Sequence, residues 1–320
     1  MNKVRVGVIG VGALGQHHAR VYASLPDATL VGVVDTHPGR AEEIAGHLGT
    51  SPFTTPSSLL GKVDAVSIAT PTILHAEIGE QFLKEGVHVL VEKPMAHTLE
   101  EADRLIRAAR ENDRVLQVGH LERFNPAVSV LRSIVRKPRF FEAHRMGLFS
   151  PRSLDIDVIL DLMIHDLDII CLLVPSEVIH VDAVGIAILS NRIDIANARI
   201  HFADGCVANV TASRVSMEKI RKLRLFQKQA YISLDYTRQD VAVFRLNHKP
   251  EGGIPEISSQ KHSPEKKEPL QAELSAFLRA TRQPETVECG GEDGRRVLVL
   301  ALDILKQAEK AQAAEIDRPW

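Results

Sequence analysis

Cysteine is scarce in this chain of 320 residues: its three thiols, Cys171, Cys206 and Cys289, lie far apart. An odd, widely spaced set builds neither a disulfide framework nor a zinc-binding pattern, and it fits a reducing compartment. An excess of one charge is lacking too. With 39 Lys and Arg against 41 Asp and Glu, the formal net charge is −2, which gives no global attraction to nucleic acid or to an anionic membrane. No run approaches the ~18 consecutive apolar residues of a membrane span. A secretory signal is not expected, because no small-residue cleavage site follows a basic segment. Internal repeats and low-complexity tracts are also missing. These absences point to a cytoplasmic protein with a small-molecule partner, and to neither a nucleic-acid nor a membrane partner.

What is present is a chain long enough for two cores, with 44% hydrophobic and 25% charged residues, as in ordinary globular domains. From residue 4 to about residue 120, short apolar runs alternate with helically periodic stretches. The strand candidates are Val4–Ile9, Thr29–Val34, Ala65–Ala69, Val87–Val91 and Val115–Val118. Between the last two, Ala102, Leu105, Ile106 and Ala109 recur at helical spacing within Glu100–Asn112. Such alternation predicts a parallel sheet covered by helices on both faces.

Beyond residue 121 the pattern changes. Ile195–Ser213, "IANARIHFADGCVANVTAS", alternates about an Ala-Asp-Gly turn and reads as a hairpin. Strand-like runs follow at Arg224–Phe226, Tyr231–Leu234 and Val241–Leu246. Asn247–Pro269, rich in proline and charge, reads as an exposed loop, and helices near Leu270–Thr281 and Glu292–Ala314 close the chain. The expected organisation is an α/β domain over 1–121 and an α+β domain over 122–320 with a large, mostly antiparallel open sheet.

"VGVIGVGALG" supplies G-x-G-x-x-G at Gly10, Gly12 and Gly15, after a strand candidate and before a helical pattern. The first glycine permits a tight turn, the second a close approach of pyrophosphate, and the third close helix–strand packing. Ala13 and Leu14 belong to the same loop. Asp35 ends the second strand candidate, where a carboxylate can take a ribose hydroxyl and repel a 2′-phosphate. No arginine follows it directly, so NAD is favoured over NADP. A Rossmann dinucleotide-binding domain is the expectation.

Two further motifs narrow the family. "SIATPTILH" (Ser67–His75) ends a strand with Thr70-Pro71 and places His75 shortly after, and "GVHVLVEKPMA" (Gly86–Ala96) ends the next strand with Glu92-Lys93-Pro94. With the glycine pattern, these resemble the Gfo/Idh/MocA family of sugar and cyclitol dehydrogenases over essentially the whole chain. The resemblance implies that Thr70, Pro71, His75 and Glu92 line the cofactor and that Lys93 stands near the nicotinamide. One departure is Thr72, where the family commonly has asparagine. Lys93 also makes chemical sense unaided: at the carboxyl end of a parallel strand it faces the ligand crevice, where its ammonium can stabilise developing alkoxide charge.

The cluster "DLMIHDLD" (Asp161–Asp168) could be a metal site, a charged helix with a satisfied histidine, or a base with its orienting acid. No partner motif supports a metal, and the tandem His17-His18 belongs to the cofactor helix. On a helix Asp161 and His165 are one turn apart and share a face with Asp168, while Asp166 points elsewhere. Alcohol oxidation needs a base with a pKa near neutrality, which makes His165 the candidate and Asp161 its orienter. The family motif here is Asp-x-Gly-x-His-x-x-Asp. Asp161, His165 and Asp168 match it; Met163 replaces the glycine.

"VGHLERFNPAV" (Val118–Val128), "SRVSMEKIRKLRLF" (Ser213–Phe226) and "AYISLDY" (Ala230–Tyr236) resemble the branch acting on nucleotide-linked amino sugars. The implied reaction is oxidation at C3 of UDP-N-acetylglucosamine. Lys93, Arg123, Asp161 and His165 are the expected substrate contacts. Arg123, Arg145, Arg152, Arg214, Lys219 and Arg221 are the cations available to a pyrophosphate. A free-sugar or inositol dehydrogenase is the alternative enzyme, and a non-catalytic NAD-binding sensor is the alternative of another class. The resemblance also implies a homodimer or homotetramer.

Overall fold

The computed structural model describes residues 2–149, 156–247 and 256–316. In chain order its elements begin β1 (Val4–Ile9), α1 (Gly15–Ser24), β2 (Ala28–Val34), α2 (Pro38–Leu48), β3 (Ser51–Phe53), β4 (Ala65–Ile68), α3 (His75–Lys84), β5 (His88–Glu92), α4 (Leu99–Glu111) and β6 (Leu116–Gly119). There follow α5 (Pro126–Ile134), β7 (Phe140–Met146), α6 (Ile164–Leu173), β8 (Val178–Ile186), β9 (Ile195–Phe202), β10 (Val207–Ser213), β11 (Ile220–Gln227), β12 (Ala230–Asp235), β13 (Asp240–Asn247) and β14 (Glu256–His262). The chain closes with α7 (Pro269–Ala280) and α8 (Gly291–Ile316).

Two compact units result: Met1–Leu121 with Glu268–Arg295, and Glu122–Lys267 with Arg296–Trp320. The structure thus differs over 268–295 from a second domain running through 122–320. The reason is hydrophobic: α7 buries Leu274, Phe277 and Leu278 in one core with Val4, Val6 and Tyr22.

In the first unit the strand order is β3-β2-β1-β4-β5-β6, with every pair parallel. The order reverses at β1, and ligands of such sheets bind outside the carboxyl ends at that switch point. The central strands are nearly continuous runs of buried Val, Ile and Ala, as burial on both faces demands. Helix starts follow local chemistry. Thr98 and Glu101 form a reciprocal capping box on α4, and Pro38 opens α2, which ends at Gly49 in the left-handed region (φ 65°). The three-residue edge strand β3 is not among the strands expected from the sequence; with Pro52 at its centre it carries no alternation to read.

The second unit carries an eight-stranded sheet, β14-β13-β12-β11-β7-β10-β9-β8, antiparallel except for the central β7–β10 pair. The hairpin expected over Ile195–Ser213 is β9 and β10, whose residues alternate between buried and more open. Two strands escape the sequence reading. In β7, "FFEAHRM", the inward positions are Phe141, Ala143 and Arg145, so a buried charge interrupts the apolar alternation. Edge strand β8 leaves Ile179, Val184 and Ile186 exposed. The expected loop Asn247–Pro269 also needs correction: 256–262 pair with β13 as strand β14, almost wholly exposed and without an apolar face that would announce it. Residues 248–255 of that stretch lie outside the described residues. Among the described residues, no helix is long and apolar enough to cross a membrane.

Candidate active site

The glycine loop joins β1 to α1. Gly10 has φ +82°, and a Cβ there would meet the Ala69 carbonyl oxygen at 2.7 Å. At Gly15 a Cβ would strike the Gly10 oxygen at 1.7 Å, so both positions require glycine for packing alone. Gly12 differs: among the described residues nothing lies within 4 Å of its Cβ position, so no described atom explains the missing side chain there. Ala13 and Leu14 are exposed beside it. The hydroxyl of Thr70, at the end of β4, is buried and lacks a hydrogen-bond partner among the described residues. An open cradle with an orphaned donor–acceptor beside it fits a dinucleotide lying across the loop. Asp35 ends β2, where Oδ2 accepts the Val11 N–H (3.1 Å) and Oδ1 the His37 N–H (3.0 Å). Each carboxylate oxygen has two lone-pair sites, leaving capacity for a ribose hydroxyl.

Lys93 follows β5 and precedes Pro94 across a cis peptide bond. Its surroundings fasten the backbone on both sides. Glu92 Oε2 accepts the Lys93 N–H at 3.2 Å, and Glu92 Oε1 lies 3.0 Å from His18 Nε2. Burial pushes the Glu92 carboxyl up, but the His18 hydrogen bond, the charges of His18 and Lys93 and the Lys93 amide outweigh it, holding the pKa below its ordinary value. His75 Nδ1 lies 2.9 Å from the Pro94 carbonyl and Nε2 2.8 Å from that of Thr70. Burial is the largest influence on His75 and lowers its pKa below 6.5 against the pull of those carbonyls.

Two expected cofactor residues are held by protein groups. The His75 ring is almost fully buried and bridges the ends of β4 and β5, and the Glu92 carboxylate is turned to His18 and the Lys93 amide. The sequence marks His18 only as part of the cofactor helix; it lies on the buried side of α1, one turn beyond Gly15, which is the available signal.

In the second unit the acid–histidine cluster divides by burial. A π-helical turn over Ile159–Met163 leads into α6, so Asp161 and His165 straddle a junction of two helix types. Between Asp161 and Asp168 only Asp161, Leu162 and His165 keep partial exposure. Asp168 does not share their open side, contrary to helical spacing. It is buried against Arg123, whose Nε and Nη2 donate to it at 2.7–3.0 Å. Asp166 is buried on Arg145, which also donates to Glu122 at 3.0 Å. These two pairs staple α6 from within and leave His165 on its open side. Met163, in the position of the family glycine, is fully buried in the π turn.

Arg123 is an expected substrate contact, but it is buried and its guanidinium fork lies on Asp168. Arg145 is likewise enclosed. Burial pushes its pKa down, Asp166 and Glu122 more than reverse this, and its guanidinium lies 5.0 Å from the Tyr236 ring centroid. Arg214 is buried on Asp194 at 2.8 Å. Arg152 lies outside the described residues. Of the cations considered for a pyrophosphate, Lys219 is exposed and Arg221 half-buried.

A Rossmann sheet with an open glycine cradle, a carboxylate at the end of β2 and a lysine at the end of β5 defines an NAD-binding oxidoreductase. Residues 4–120 match the oxidoreductase family with an NAD-binding Rossmann fold, Gfo/Idh/MocA. UDP-N-acetylglucosamine 3-dehydrogenase of Acidithiobacillus ferrooxidans is 43% identical over 305 residues, 95% of this chain and 97% of that protein. The scyllo-inositol 2-dehydrogenase (NAD(+)) of Bacillus subtilis is 33% identical over 235 residues, 67% of this chain and 68% of its own. Among solved structures, that of the Acidithiobacillus ferrooxidans enzyme GnnA superimposes with a TM-score of 0.92 at 42% identity, covering 97% of this chain and 99% of the other. Levoglucosan dehydrogenase in complex with NADH shares the fold at a TM-score of 0.85 and 22% identity, over 97% and 98% of the two chains. The chain belongs to the Gfo/Idh/MocA oxidoreductase family.

Proposed function

We propose that this chain oxidises a ring hydroxyl of a nucleotide-linked sugar, at C3 of UDP-N-acetylglucosamine. The observation that carries this reading is the 43% identity, over nearly the full length of both chains, to a relative named for that reaction. NAD, when bound, supplies the hydride acceptor. The chain's residues do the rest. Amides of the glycine loop and the start of α1 hold the pyrophosphate, and Asp35 takes a ribose hydroxyl. The Lys93 ammonium donates to the substrate oxygen and steadies its negative charge, His165 removes the hydroxyl proton, and Asp161 orients the imidazole.

For the substrate's own pyrophosphate, Arg221 and Lys219 are the more open of the expected cations among the described residues. Burial and the neighbouring Arg145 hold the Arg221 pKa below its ordinary value, so an anion beside it would relieve an unfavourable charge. Self-association through the outward face of the second sheet completes the proposal. Phe140, Phe226, Tyr231 and Phe244 form a row there across four strands, with successive ring centroids 5.1–5.8 Å apart, and Leu246 and Ile257 extend it in the open. Sedimentation should give a dimer or tetramer, and a monomer at micromolar concentration would refute that part.

A free-sugar or inositol dehydrogenase is the second reading, favoured by the similarity to the scyllo-inositol enzyme. A non-catalytic sensor would have no need of Lys93 and His165, and both are present. Following NADH formation with UDP-N-acetylglucosamine, N-acetylglucosamine and scyllo-inositol separates the readings. Turnover of the UDP-sugar alone is expected. Turnover of inositol alone would favour the second reading, and NAD binding without any turnover the sensor.

A further inference from the structure

We propose that His18 is a positioning residue for Lys93: it pins the Glu92 carboxylate to the peptide N–H of that lysine. The inference rests on the proposed alcohol oxidation and names what holds its cation in place. His18 stands on the buried side of α1, with 2% of its surface exposed. Its Nε2 lies 3.0 Å from Glu92 Oε1, and Glu92 Oε2 accepts the Lys93 N–H at 3.2 Å. One carboxylate thus joins α1 to the residue that follows β5. An ionised carboxylate only accepts, so Nε2 carries the proton of this contact. His18 Nδ1 is buried and has no hydrogen-bond partner among the described residues. The bond to Glu92 is therefore the ring's one hydrogen bond among them. Burying an imidazole with one nitrogen unmatched is unfavourable, and the contact with the carboxylate is what that placement secures.

The seat of the carboxylate is shaped from β6 as well. Glu92 and Gly119 are partners across β5 and β6, and a Cβ at Gly119 would lie 3.1–3.2 Å from the carboxylate. Even a methyl group there would press on it. The titratable groups that act on Glu92 are His18 from α1, Lys93 beside it in the chain, and His75 from α3. Burial works against the charge of Glu92, and the His18 hydrogen bond is the largest influence in its favour. Without that bond burial gains the upper hand. The carboxyl then protonates at higher pH and loses its charge-assisted hold on the Lys93 N–H. The ammonium is still present, but its placement is not fixed, and a misplaced group lowers the rate of the chemical step more than it lowers binding.

Two polar substitutions separate positioning from packing. In His18→Gln the side-chain amide reaches to the place of Nε2 and can donate to Glu92; in His18→Asn it reaches only to that of Nδ1. Rates with UDP-N-acetylglucosamine are taken relative to the native chain at each pH, so that the titration of the base cancels. His18→Asn should lower kcat by about tenfold near pH 6 and by less near pH 9, with KM for sugar and NAD close to native. His18→Gln should stay within about threefold of native throughout. Gly119→Ala, which presses on the carboxylate from β6, should act in the same direction as His18→Asn but more weakly. In a Glu92→Gln background, His18→Asn should leave the pH dependence unchanged. A second measurement needs no substrate: the carbon-13 resonance of the Glu92 carboxyl, assigned by its loss in Glu92→Gln. It should show no titration above about pH 5 in the native chain, and a midpoint higher by about one unit or more in His18→Asn. An unmoved midpoint in His18→Asn would overturn the inference. So would equal rate losses in His18→Asn and His18→Gln, or a loss the same at every pH, either of which would make His18 a packing residue. A native chain that turns over no sugar would overturn the proposed reaction and the role with it, a result told apart by a Glu92 titration that still follows His18.

Discussion

The two units of this chain use charge in opposite ways. In the first, Asp35, Arg40 and Lys93 stand at strand ends or helix starts, each partly open. In the second, Arg123–Asp168, Arg145–Asp166 and Arg214–Asp194 are closed pairs with side chains at most 5% exposed. Charge kept at an edge can answer to a ligand. Charge sealed inside cannot, and it fixes geometry instead: Asp166 and Asp168 draw α6 inward so that His165, just before them in sequence, faces out. A buried pair is often no more stable than an apolar replacement, yet breaking one partner is costly. The contrast teaches that the count of arginines in the second unit says little about anion binding, whereas their closure says much about how the histidine is held.

The largest expected effect tests the open side of this contrast. Lys93→Ala and His165→Ala should each lower kcat by about 10²–10⁴-fold, while NADH affinity measured by fluorescence stays close to native. Near-native turnover in either variant would remove that residue from the chemistry. Next comes the closed side. Arg145→Met leaves Asp166 and part of Glu122 unmatched in the interior and should cost about 3–5 kcal/mol in urea unfolding. A loss below about 1 kcal/mol would place that pair with surface contacts and blur the distinction. Gly12→Ala sharpens the comparison from the other direction. With open space at its Cβ position, the melting temperature should hold while NADH binding weakens, and a lower melting temperature with unchanged binding would mean that the cradle serves packing.

The smallest effect concerns pH. Burial, with Arg114 nearby, depresses the pKa of His88 from 6.5 to about 4, and its Nδ1 accepts the Val115 N–H at 3.0 Å. Protonation removes that acceptor, and the unfolded chain binds the proton more readily than the folded one. The histidine's contribution to stability is therefore present above pH 6.5 and is lost as pH falls toward about 4. Thermal unfolding of native and His88→Asn protein across that range should show a shallower decline in the variant. Parallel curves would sink the assignment.

How much of this is legible in the sequence follows from how local each feature is. The glycine pattern, Asp35 and Lys93 are set by their own strand and turn, so spacing alone locates them. His18 against Glu92, and Arg40 against Val11, join segments 74 and 29 residues apart; a linear reading finds the residues without their partners. The same limit makes Arg123, Arg145 and Arg214 look like anion sites, because nothing nearby in sequence announces the carboxylate that closes each one. Arg145 also hides β7, since an inward arginine breaks the alternation that marks a strand. The spacing of Asp161 and His165 is readable, but the π turn that carries Asp161 is not.

In the proposed reaction this chain removes hydride from C3 of a UDP-linked amino sugar. Its most direct test is mass spectrometry of the nicotinamide after turnover of UDP-N-acetylglucosamine deuterated at C3. The deuterium should appear in NADH, with a ketone at C3 of the sugar. Unlabelled NADH from a turning-over enzyme, or NADH labelled only by substrate deuterated at another ring carbon, would contradict it.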